Sequence, residues 1–131
     1  MHNQLISEAM IIKQLNVEDA LAVALYPLSG SFIEVGNFER FGFLIQAGGL
    51  DSAVTCQVQQ ATADDGTPKD ITDAVTIIPA LGDDKWYLVE VQTDHLDSNN
   101  DYNHVTLKVT GATGNDYGAI TFIGFNPSLP P

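Results

Sequence analysis

The feature that most constrains this chain is a two-residue alternation of apolar and polar side chains, recurring in short runs that are each closed by turn-forming residues. The clearest run is 52–60, where Val54, Cys56 and Val58 alternate with Thr55, Gln57 and Gln59 as a half-buried antiparallel strand requires. His104 to Thr110 repeats the pattern, with Val105, Leu107 and Val109 on one face and His104, Thr106, Lys108 and Thr110 on the other. Arg40 to Ala47 places Phe41, Phe43 and Ile45 on one side, and Tyr117 to Phe125 supplies a last strand. Tyr87, Val89 and Val91 alternate with Trp86, Leu88, Glu90 and Gln92, so both faces of that element begin apolar. Weaker strands are read at 31–35, at 71–78 and at Leu21, Val23 and Leu25. Gly36-Asn37, Gly48-Gly49, Asp64-Asp65-Gly66-Thr67-Pro68 and 111–115 punctuate them, because glycine frees the backbone and proline removes a ladder donor.

Seven or eight such strands, spaced about 8 to 12 residues apart with little helix between them, predict an all-β antiparallel sandwich, jelly-roll-like in character. The expected organisation is an extended or partly helical N-terminal arm over 1–18, one sandwich over 19–125 and an extended tail over 126–131. The arm is assigned because the apolar residues from Met10 through Leu15 to Leu25 fit neither a clean 3.6-residue nor a clean 2.0-residue period throughout, and because Leu5, Ile6, Met10, Ile11, Ile12 and Leu15 have no clear place in a compact sandwich. The tail follows from three prolines among its six residues.

The 131 residues suit one core, and a mean hydropathy of +0.03 without an 18-residue apolar run reads as a water-soluble domain. Seventeen acids against five bases give a net charge of −12, which repels nucleic-acid phosphate and anionic membranes; neither is expected as a partner. Cys56 is the single cysteine, so no intramolecular disulfide or multi-cysteine metal site can form. Its mid-strand place on an apolar face assigns it to the core. The first ten residues have no basic stretch followed by a long apolar one, and synthesis in a cytoplasm is expected.

Asp97, Asn99 and Asp101 alternate as in a calcium loop, but Tyr102 stands where that loop needs glycine and Lys108 where it needs a bidentate carboxylate. His2, His95 and His104 lack metal-ligand spacing. No nucleophile sits in a G-x-S-x-G turn, and Asp64/Asp65 and Asp83/Asp84 are acids in turns. No catalysis, cofactor or metal is therefore expected. The one tryptophan and six phenylalanines are assigned mainly to burial, Phe41, Phe43 and Tyr87 among the inward residues, although Trp86 and its neighbours are also the aromatic set a sugar face would use. Arg40, between Glu39 and an apolar strand, is either a surface residue or one half of a fork with a carboxylate.

The run Gly36-Asn37-Phe38-Glu39-Arg40-Phe41-Gly42-Phe43-Leu44-Ile45-Gln46-Ala47-Gly48 is followed by Val54-Thr55-Cys56-Gln57-Val58-Gln59-Gln60-Ala61-Thr62, by Lys69-Asp70-Ile71-Thr72 and by Asn103-His104-Val105-Thr106-Leu107-Lys108-Val109-Thr110. Together they resemble small structural proteins from the head modules of tailed bacteriophages, over residues 20 to 125. The resemblance implies a decoration, or cement, protein on the outside of the mature capsid, made in the bacterial cytoplasm, bound to the major capsid protein and trimeric at three-fold positions. The residues expected to reach the capsid or a neighbouring subunit are Leu5, Ile6, Met10, Ile11, Ile12 and Leu15. A tail or head-tail connector subunit, or a glycan-binding sandwich for host attachment, is the alternative.

Overall fold

A computed structural model describes residues 10–16, 22–80, 85–113 and 116–125. They contain nine strands: β1 (Met10–Asn16), β2 (Ala24–Tyr26), β3 (Ile33–Glu34), β4 (Arg40–Ala47), β5 (Val54–Ala61), β6 (Lys69–Ile78), β7 (Lys85–Gln92), β8 (His104–Thr110) and β9 (Gly118–Phe125). Two short 3-10 turns, Thr93–His95 and Ser98–Asn100, lie between β7 and β8. The strands form two antiparallel sheets. The first has the order β1-β9-β4-β7, and the second the order β2-β8-β5-β6 with β3 also pairing β8.

Nested pairing explains this order. β5 pairs with β6, β4 with β7, β2 and β3 with β8, and β1 with β9, so the chain behaves as one long hairpin. Folding that hairpin over itself adds the ladders β4 to β9 and β5 to β8, which is the jelly-roll arrangement. The all-β sandwich expected from the alternation is the observed fold.

The core lies between the sheets. Phe41, Phe43 and Ile45 of β4 and Ile120 and Phe122 of β9 meet Val54, Cys56 and Val58 of β5 and Val105, Leu107 and Val109 of β8. Phe41, Phe43 and Phe122 form an aromatic cluster with ring centroids 5.6 to 6.3 Å apart. Such rings add edge and offset-stacking attraction to the burial of their area. Cys56 is fully buried, as expected, and loss of water around it pushes its thiol up to about 12.

The N-terminal expectation needs correction. Residues 10–16, placed in an arm over 1–18, are the edge strand β1, with Met10 opposite Phe125 and Ile12 opposite Ile123. The ladder shifts register between Gln14 and Asn16, and Leu15 in that bulge packs against the core. The bulge changes the parity of the strand, and Met10, Ile11 and Ile12 are three consecutive apolar residues, so no two-residue period is visible in the sequence. Leu15 is thus engaged in the fold and Ile12 stands exposed on its outside. Leu5, Ile6 and the tail 126–131 lie outside the described residues.

Two local devices hold the irregular parts. In β6 the ladder with β5 slips between Gln57 and Gln59, leaving Ile71 to Ala74 as a bulge in which Asp73 adopts φ 66°. The two N–H groups of the Gln57 side-chain amide are shared among the carbonyls of Val58, Ile71 and Ala74, 2.8, 2.9 and 3.1 Å from its nitrogen, and so serve backbone groups the broken ladder leaves over. At the other end, the crossovers β4–β5 and β8–β9 are joined by Asp116. Its buried carboxylate accepts hydrogen bonds from Asp51 N at 2.6 Å, Ser52 Oγ at 2.7 Å and Thr113 N at 2.7 Å. Burial alone would raise the Asp116 pKa, but the donors from Thr113, Ser52 and Asp51 outweigh it and hold the carboxyl at about 2. Gly111 belongs to the same junction: with φ +84° and a Cβ that would stand 2.6 Å from the Ala53 carbonyl oxygen, only glycine fits.

Candidate functional site

Residues opposed in an antiparallel ladder share a face, so the register gives the outside of each sheet directly. On the first sheet, Ile12, Ile123, Gly42 and Glu90 form one row, Thr121, Leu44 and Leu88 the next, and Ala119, Gln46 and Trp86 a third. A fourth row holds Phe125, Arg40 and Gln92. Ile12, Trp86 and Leu88 are 62, 67 and 55% exposed, with Leu44, Ile123 and Phe125 half-buried beside them. In a chain with 17 acids, the outward register positions of these four strands carry one acid, Glu90, and one base, Arg40. Apolar residues scattered singly on a surface mean little, but a contiguous face from which charge is withheld is the composition of an interface centre.

The outside of the second sheet differs. Thr55 and Thr110, Gln57 and Lys108, Gln59 and Thr106, and Ala61 and His104 face each other across β5 and β8. Several are held by specific partners: Gln59 Nε2 donates to Asp70 at 2.8 Å, Thr106 Oγ1 to the Pro27 carbonyl at 2.7 Å, and Gln57 seals the β6 bulge. Val75 and Ile77 at its β6 edge are exposed.

Trp86 corrects the expectation of burial. The alternation that assigns Tyr87 inward already sets Trp86 on the opposite face of β7, and the pairing with β4 keeps it there: Val89 and Val91 turn inward, Trp86 and Leu88 outward. Tyr87 packs against the core as expected. Arg40 is exposed, its guanidinium lies 5.1 Å from the Phe125 ring centroid, and among the described residues no carboxylate forms a fork with it. It borders a cleft of about 390 Å³ at the end of the face, lined also by Phe38, Glu39, Gln92, Thr93 and Asp94. The buried Thr93 Oγ1 in that wall has no hydrogen-bond partner among the described residues.

The remaining sequence candidates are dispersed. Asp97 bonds Lys69 Nζ at 2.7 Å and accepts from Asn100 Nδ2 at 3.0 Å, while Lys69 also stands 4.1 Å from the Tyr102 ring centroid. The hydrogen bond to Lys69, then that from Asn100, lowers the Asp97 pKa, and the same bond to Asp97 raises that of Lys69. These contacts pin the 93–103 connection onto β6. His95 lies near Asp94, and His104 Nδ1 is 2.7 Å from Asn103 Oδ1. Among the described residues, no three histidines, cysteines or acids converge as a metal site. No described helix is long and apolar enough to cross a membrane.

No family model matches the chain, and no curated protein does. Among solved structures, the chain is similar to the PBSX exported protein XepA, at 10% identity over 92% of this chain and 39% of that one, with a TM-score of 0.60. It also matches the SPBc2 prophage-derived protein YomS, at 14% identity over 88% of this chain and 91% of that one, with a TM-score of 0.47. The chain spans well under half the length of XepA, and what it shares with XepA is the fold of the sandwich.

Proposed function

We propose that the chain is a structural protein of a tailed-bacteriophage particle, and that it decorates the outer surface of the mature head by binding the major capsid protein through the outside of the first sheet. The observation that carries this reading is the apolar face built from Ile12, Ile123, Leu44, Leu88 and Trp86 and left almost free of charge in a chain of net charge −12. The jelly-roll order supports it as an architecture used in viral shells and lectins. The acidity supports an external place, away from packaged DNA. The work is thermodynamic rather than catalytic: a protein that binds only the mature lattice stabilises it by linkage, and many copies, trimeric at three-fold positions, multiply the effect.

Co-sedimentation with mature heads and with unexpanded proheads of the encoding phage tests the reading. Saturable binding to mature heads, at a copy number matching lattice positions, is the expected result; no binding to either particle overturns it. A second reading, glycan attachment, is favoured by one observation, the cleft in which Arg40 and Gln92 can donate and Glu39 and Asp94 can accept hydroxyl hydrogen bonds. Sedimentation with heads that free oligosaccharide abolishes would move the assignment to it.

A further inference from the structure

A sandwich has four sheet edges, and exposed edges invite unwanted pairing unless they are blunted. Three of the edges here are. β1 carries the bulge between Gln14 and Asn16; β6 carries the bulge at Ile71 to Ala74; and the β2/β3 edge is two pieces of three and two residues. β7 is different. Its eight residues contain no proline, they pair with β4 from Lys85 to Gln92 without a register shift, and among the described residues no strand pairs with its other side. Beside that open edge stand the exposed side chains of Trp86 and Leu88. Towards its end, a cleft of about 190 Å³ opens between β7 and the β6 bulge, with Asp73 and Glu90 among its lining residues.

We infer that β7 is an acceptor edge, to which an extended segment of the capsid protein adds as a fifth strand of the first sheet. A regular edge is complemented by another backbone in extended form, and alternate apolar side chains of the added strand would cover Trp86 and Leu88. Charge selects the occupant. Asp73 and Glu90 at the cleft, on a chain of net charge −12, favour a segment with a Lys or Arg placed to enter it, whereas a second copy of this chain would bring a further −12. This deepens the head-binding reading and rests on it.

The experiment is amide hydrogen exchange on protein bound to mature heads, quenched, dissociated and read residue by residue, beside the binding isotherm of Glu90→Lys. Alternate amides of β7 should be protected on the shell and not in free protein, and Glu90→Lys should bind about tenfold more weakly while keeping its melting temperature. Saturable head binding with β7 exchange unchanged overturns the acceptor edge and leaves the head-binding role standing. Failure of the unsubstituted protein to bind heads overturns both. β7 protection caused by self-association in the absence of heads assigns the edge to a second copy and overturns the inference.

Discussion

On the outside of the first sheet, Trp86 and Leu88 stand in water with little to do for the fold; on the outside of the second, Gln57, Gln59 and Thr106 are tied to named partners. The polar face is therefore part of the construction and the apolar face is available for something else. Surface polarity by itself does not tell which residues a fold depends on. Whether a side chain closes an otherwise unsatisfied backbone group, or covers apolar area, does.

The largest effect that sharpens this comparison is expected at the junction between the sheets. Asp116→Asn keeps the shape but turns one of the two acceptor oxygens into a donor, set either against Asp51 N or against Ser52 Oγ and Thr113 N, and denaturant unfolding at pH 7 should show a loss of about 2 to 3 kcal/mol. The pH dependence has a definite sign. A carboxyl held at about 2 in the folded chain, against an ordinary 3.8, contributes its full stability above pH 4 and loses it as pH falls from about 4 through 2. The unfolding midpoint of the unsubstituted protein should fall across that window, and Asp116→Asn should fall less.

A smaller effect is expected on the polar face, where Gln57→Ala leaves the carbonyls of Ile71 and Ala74 without their donor. Its cost should be about 1 to 2 kcal/mol, with faster amide exchange confined to the β6 bulge. The smallest belongs to the apolar face. Trp86→Ser and Leu88→Ser should each change unfolding free energy by no more than about 0.5 kcal/mol while weakening head binding. Equal destabilisation by Trp86→Ser and Gln57→Ala would break the comparison.

Much of the sandwich is legible in the sequence, for reasons that differ by strand. β4 and β8 have the bounds expected because clean alternation there ends at turn residues, Gly48-Gly49 after one and Gly111 after the other. β1 is illegible because a bulge changes parity within seven residues and the run Met10-Ile11-Ile12 is apolar at three consecutive positions. The inward set of β7, Tyr87 included, is legible from alternation, whereas the candidate face is not, because it forms only where β7 pairs with β4, 38 to 52 positions away in the chain. The Asp116 junction has no local signature either: its partners Asp51 and Ser52 lie 65 and 64 residues before it. Gln57 reads in sequence as one more outward polar residue, since a three-residue excess in the facing strand cannot be seen from its own.

The position of Cys56 gives the molecule an internal clock for its own opening. As the sole thiol, buried on the inner face of β5 and held protonated to about 12, it is shielded from an alkylating reagent while the two sheets remain together. Labelling must wait for the strands around it to part, so the rate of alkylation of native protein in water counts excursions that spectroscopy averages away. The same count on assembled particles would measure how far the shell slows the breathing of each attached subunit.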